Sequence, residues 1–230
     1  MFVRTSSCVH VLSLVAFLAV GCSDAAPAAE QAPPSSATGL RSQGEGPLVV
    51  FLGDSLTAGL GLARSEAYPA LVHDRLEADG VELRIINAGV SGDTTAGGRA
   101  RLDWLLSQQP DLVFVSLGAN DGLRTREISE IRADLEAILS GIQDHGARAI
   151  LAGQMLPPNY GPAYTDAFRD LYPALAAELD VALLPFLLEG VAAVPELNMP
   201  DGLHPNADGH ELIADLVLPL VRDELALLPR

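Results

Sequence analysis

Leu48-Val49-Val50-Phe51-Leu52-Gly53-Asp54-Ser55-Leu56 is the stretch that decides the fold. An unbroken apolar run with no polar alternation describes a strand buried on both faces, as in parallel sheets covered by helices. The run closes on a glycine, which permits a tight turn, and a serine follows where the chain leaves the sheet. Working outward, short apolar runs recur at Glu82–Asn87, Leu112–Ser116, Ala149–Gly153 and Val181–Leu184. Helical periodicity fills the intervals, predicting helices at Ala67–Ala78, Ala96–Gln108, Glu127–Asp144, Thr165–Glu178 and Ala207–Glu224. Strand-helix alternation of this kind predicts an α/β fold, a five-stranded parallel sheet between two helical layers. Ligands in such folds bind at the carboxyl ends of the strands.

The chain has 230 residues, 49% of them hydrophobic, enough for one substantial core. Its net charge of −16 speaks against a nucleic-acid partner, since a phosphate backbone repels an acidic surface. Neutral or apolar substrates suit it better. At the N-terminus, Arg4 precedes a mostly apolar stretch from Val9 to Val20, too short to span a bilayer and laid out as a secretory signal peptide. That leader occupies residues 1–21 and ends Ala19-Val20-Gly21-Cys22, which resembles a bacterial lipobox with Ala19 in place of the usual leucine. Lipidation of Cys22 accounts for the lone thiol that an exported chain would otherwise carry, because the other cysteine, Cys8, leaves with the leader. Residues 22–46, rich in alanine, proline, serine and glycine, read as a disordered linker to a domain spanning 47–230. Ser23 after the cysteine points to an outer-membrane anchor facing the periplasm, by analogy with lipoprotein sorting.

Four segments carry chemistry. Ser55 leaves the first strand where a starting helix would aim N–H groups at it, although a serine there can also serve merely as a helix cap. Of the five histidines, His10 lies in the leader, His73 falls on an exposed-looking helical face, His145 at a helix end and His210 inside the last helix. His204 alone sits in a loop, Asp201-Gly202-Leu203-His204-Pro205, with an acid three residues before it that can accept the ring Nδ1–H. Two further segments offer oxyanion donors: Gly92 within Asn87–Thr95 and the Asn120 amide within Leu117–Gly122, both also ordinary turn residues.

Gly-Asp-Ser-Leu, the glycine of Ser91-Gly92-Asp93, Gly-x-Asn-Asp and Asp-x-x-His-Pro, in that order, resemble the four blocks of SGNH (GDSL) hydrolases. The resemblance covers Leu48 to Leu228 and is greatest to the bacterial acyl-CoA thioesterase I, lysophospholipase and arylesterase group. It implies a flavodoxin-like sandwich with Ser55 as nucleophile, His204 as general base and Asp201 orienting it. The Ser55 backbone, Gly92 and Asn120 would form the oxyanion hole. Leu123, Leu156, Pro158 and Tyr160 would supply apolar substrate contacts. The expected activity is hydrolysis of carboxylic esters or thioesters by a monomer, with no cofactor and no metal. The same triad would serve an acyltransferase or a carbohydrate deacetylase. Two rival classes remain at this stage: a metal phosphoesterase built on Asp54, Asp93, Asp121 and Asp201, and a non-catalytic acyl- or glycan-binding lipoprotein.

Overall fold

The computed structural model describes residues 46–229, so the expected 1–21 leader, Cys22 and nearly all of the 22–46 linker lie outside the described residues. Strands β1 (Leu48–Gly53), β2 (Arg84–Gly89), β3 (Leu112–Ser116), β4 (Arg148–Ala152) and β5 (Ala182–Leu184) make one sheet. Its order is β2-β1-β3-β4-β5, and every neighbouring pair is parallel. The chain moves from β1 to one edge, then crosses back to build the other side, which opens a crevice between the ends of β1 and β3.

The helices are α1 (Ser55–Ala58), α2 (Tyr68–Ala78), α3 (Thr95–Ala100), α4 (Leu102–Leu106), α5 (Ala119–Leu123), α6 (Ile128–Asp144), α7 (Pro162–Leu179) and α8 (Ala207–Ala226). All six residues of β1 are buried. Leu48, Val50 and Leu52 enter a core shared with α4, α6 and α7, whereas Val49 and Phe51 enter a second core shared with α2 and α8. Each such side chain contributes ~1.5–3 kcal/mol by leaving water. Phe51 also meets Tyr68 edge-on at 5.8 Å between ring centres and Phe114 at 5.7 Å, which fixes α2 against the sheet. No helix among the described residues is long and apolar enough to cross a membrane.

Two element boundaries differ from the periodicity for physical reasons. The second strand runs Arg84–Gly89 rather than Glu82–Asn87, because Ala88 and Gly89 pair with Leu52 and Gly53 at the carboxyl end of β1. The helix expected over Ala96–Gln108 breaks at Arg101, whose φ of −108° and ψ of 6° are not helical. Gly97 and Gly98 are weak helix formers, and Arg101 turns inward to donate to Asp93 and to the carbonyls of Gly53 and Ala88. His73, expected on an exposed face, is instead buried in α2 at 9% exposure, with Nδ1 3.2 Å from Asp74. His210 is buried as well: its Nδ1 accepts the Tyr68 N–H at 3.1 Å and joins α8 to α2.

Candidate active site

Ser55 opens α1 directly beyond β1, and the residue that caps this helix is Asp54, whose carboxylate accepts the Leu56 N–H at 3.0 Å. The serine side chain is therefore free of capping. Gly53 is required here by crowding: a Cβ on it would lie 2.0 Å from Thr57 Oγ1 and 3.0 Å from the Ser116 carbonyl. Ser55 Oγ lies 3.0 Å from His204 Nε2, although 149 positions separate the two residues. His204 Nδ1 lies 2.7 Å from Asp201 Oδ2. An ionised carboxylate only accepts, so Nδ1 carries the hydrogen and Nε2 presents its lone pair to the serine hydroxyl.

The loop holding this acid and histidine is stapled in place. Asp201 Oδ1 accepts the N–H groups of Leu203 and His204 at 2.9 and 3.0 Å, and Met199 N–H donates to the His204 carbonyl at 2.7 Å. The N–H donors of His204 and Leu203, then the His204 ring, hold the Asp201 carboxyl down at about 2. Beyond the loop, Asn206 caps α8 by accepting the Gly209 N–H.

Asn120 lies in α5, just past β3, and its Nδ2 donates to Asp54 Oδ2 at 3.3 Å. Gly118, at φ +113°, makes this turn possible; a Cβ there would meet the Tyr172 hydroxyl at 2.2 Å. Asp54 is 1% exposed, and burial pushes its carboxyl up to about 6 against the lowering influence of the Leu56 N–H, His204 and the Asn120 amide. Gly92 sits in the loop after β2 at φ +81°, and its carbonyl accepts from Arg124 Nη2 at 3.2 Å.

A cavity of about 520 Å³ opens beside Ser55, Asn120 and His204. Leu123, Leu156 and Pro158 line it, as do Met155, Phe186 and Leu203. Tyr160, expected as a substrate contact, is not in its wall; the Tyr160 hydroxyl instead donates to the carbonyl of Leu123, a wall residue, at 3.1 Å. Gly92 is also outside the cavity lining. The four aspartates of the metal-centre alternative do not converge, since Asp93 pairs with Arg101, Asp121 with Arg126 and Thr95, and Asp201 with His204. Among the described residues, the group with metal-ligand spacing is His73, Asp74 and Glu77 on α2, away from the serine.

An exit-of-strand serine, a ring nitrogen 3.0 Å from it and Asn120 beside both are laid out on the switch point of the sheet. Residues 51–212 match the family model described as GDSL-like lipase/acylhydrolase. The chain belongs to that family. An arylesterase of Vibrio mimicus is 45% identical over 170 residues, 74% of this chain and 85% of the relative. The thioesterase 1/protease 1/lysophospholipase L1 of Escherichia coli strain K12 is 44% identical over 168 residues, 73% of this chain and 79% of the relative. Among solved structures, the crystal structure of TesA matches with a TM-score of 0.75 at 41% identity, covering 78% of this chain and 99% of that one. The family assignment and the α/β sheet thus agree with the four sequence blocks.

Sequence reasoning passed over Asp54 as anything but a metal-ligand option, although it stood in the Gly-Asp-Ser block. It also gave no role to Met155, Phe186 and Leu203, which only loop packing brings to the cavity. Nothing in a linear apolar pattern separates a cavity wall from a core contact.

Proposed function

We propose that this GDSL-like acylhydrolase cleaves carboxylic esters or thioesters of acyl substrates, with Ser55 as nucleophile. The observation that supports it is the relay from Ser55 Oγ through the His204 ring, 3.0 Å on one side, to Asp201, 2.7 Å on the other. The names of the arylesterase and thioesterase relatives support the same substrate range.

Ser55 Oγ attacks the acyl carbonyl while His204 Nε2 takes its proton, and Asp201 steadies the imidazolium that forms. Negative charge on the carbonyl oxygen is met by the Ser55 N–H, the Asn120 amide and the Gly92 N–H, which donates to no other described residue. His204 returns the proton to the leaving oxygen or sulfur as the carbon–heteroatom bond breaks. Water then attacks the acyl-enzyme with the same histidine as base, releasing the acid. The acyl chain occupies the cavity bounded by Leu123, Leu156 and Pro158. The Ser55→Ala variant tests this directly. Its kcat on a p-nitrophenyl ester is expected to fall at least about a thousandfold with the fold intact by circular dichroism, and equal rates for variant and parent would refute the assignment.

We assign residues 47–230 to the hydrolase domain, which acts as a monomer. Residues 1–21 serve as a lipoprotein leader, and lipidated Cys22, at the head of the 22–46 tether, anchors the enzyme to the outer membrane on its periplasmic side.

A further inference from the structure

The cavity beside Ser55 and His204 is bounded by four of the five strand-end loops. The cavity is walled by loops that follow β1, β3, β4 and β5, and it is apolar. The loop of Gly92, which follows the edge strand β2, contributes no residue to that cavity, and the guanidinium of Arg124 donates to the Gly92 carbonyl at 3.2 Å. Arg124 ends the same short helix that holds Asn120 in the site and Leu123 in the cavity wall. One turn of chain therefore reaches both the cavity wall and the Gly92 loop.

Arg124 stands out among the arginines. The chain contains no lysine, and its acidic excess gives most of the described arginines a carboxylate partner, among them Arg75, Arg99, Arg101, Arg126, Arg132, Arg148, Arg169 and Arg222. Arg124 is exposed and has one neutral partner, the Gly92 carbonyl; no described carboxylate lies within ion-pair distance of it. Arg64 and Arg84 share that freedom, but neither hydrogen-bonds to a loop of the site. In a molecule of net charge −16, an unpaired cation beside an acyl-transfer centre is a local exception to the repulsion that an anionic ligand would otherwise meet. A guanidinium offers five N–H donors in a planar fork suited to phosphate, and the Gly92 carbonyl leaves most of them unused.

We propose that Arg124 forms a leaving-group subsite that binds a phosphate carried by the alcohol or thiol half of the substrate, while the acyl half enters the cavity. It rests on the acyl-hydrolase reading above and adds the residue that recognises the departing group where that group bears phosphate. A lysophospholipid headgroup and the phosphates of an acyl-CoA present the same chemistry.

The test compares kcat/KM of the parent, Arg124→Gln and Arg124→Lys on three hexanoyl-to-palmitoyl substrates: a p-nitrophenyl ester, an acyl-CoA and a lysophosphatidylcholine. The readout is the ratio of kcat/KM on each phosphate-bearing substrate to that on the neutral ester, which cancels any disturbance of the Gly92 loop common to all three. For Arg124→Gln the ratio is expected to fall about tenfold on at least one phosphate-bearing substrate, and for Arg124→Lys it stays within about threefold of the parent. A fall confined to acyl-CoA assigns the subsite to nucleotide phosphate, and one confined to the lysophospholipid assigns it to a lipid headgroup. Ratios unchanged in Arg124→Gln overturn the proposal. Loss of all ester hydrolysis in the parent itself would instead overturn the acyl-hydrolase reading on which it stands.

Discussion

Asp54 is a buried acid with an unusual task. Its two oxygens accept the Leu56 N–H and the Asn120 amide, so it caps the helix that starts at Ser55 and also settles which way the Asn120 amide faces. Oxygen and nitrogen of an amide are nearly equal in shape, and an acceptor-only carboxylate selects the orientation that keeps N–H toward the site. That order costs stability. Its pKa rises from 3.8 to about 6 on burial, so the stabilising contribution of the protonated form is present below pH 3.8 and is lost as pH rises through about 6. The Asp54→Asn variant lacks this titration, so its stability in urea unfolding is expected to change less between pH 4 and pH 8 than the parent's. Its kcat is expected to fall at least tenfold at pH 8, because an amide facing an amide no longer fixes Asn120. An activity equal to the parent's would show that Asn120 is oriented by something else.

At the scale of elements, two joints position the site. Arg101 interrupts what would be one helix and clamps the carboxyl ends of β1 and β2 by donating to the Gly53 and Ala88 carbonyls at 3.1 and 2.7 Å. The loops bearing Ser55 and Gly92 leave the sheet from those clamped ends. The second joint is between α2 and α8, where His210 accepts the Tyr68 N–H and stacks on the Tyr68 ring at 6.0 Å. Burial lowers His210 to about 4 from 6.5, so the folded state keeps it neutral while the unfolded chain takes up a proton. Stability from this joint is complete above pH 6.5 and is lost as pH falls through about 4, up to about 3 kcal/mol. A His210→Gln variant, which keeps an acceptor for the Tyr68 N–H, is expected to show a melting temperature less dependent on pH between 6.5 and 4 than the parent's. Parallel curves for the two proteins would exclude His210 as the source. The long helices α2, α6, α7 and α8 were legible from period, whereas this joint was not, since a histidine in a helical run gives no sign of which residue it will meet.

At the scale of the whole molecule, the sheet order turns distant residues into one site. Loops after β1 and β3 deliver Ser55 and Asn120 to the switch point, and the excursion after β5 folds back to bring His204 over the serine. The proposed anchor predicts that the full chain sediments with membranes and needs detergent for release, while Cys22→Ser is recovered in the soluble periplasmic fraction. Release of the parent by osmotic shock without detergent would exclude lipidation.

The sequence by itself determined the class of fold and the chemical parts. Continuous apolar runs such as Leu48–Leu52 can be satisfied only by burial on both faces, and the four ordered blocks carried Ser55, Gly92, Asn120, Asp201 and His204 as candidates. Local periodicity is a property of neighbours along the chain, and so it survives without a structure. Tertiary structure decided what depends on approach between distant segments: the break at Arg101, the removal of Tyr160 from the cavity wall, the burial of His73 and the pairing of Asp54 with Asn120. Among the described residues it also left Arg124 without a carboxylate partner, because charge partners are chosen by the surface that folding brings together and not by position in the chain.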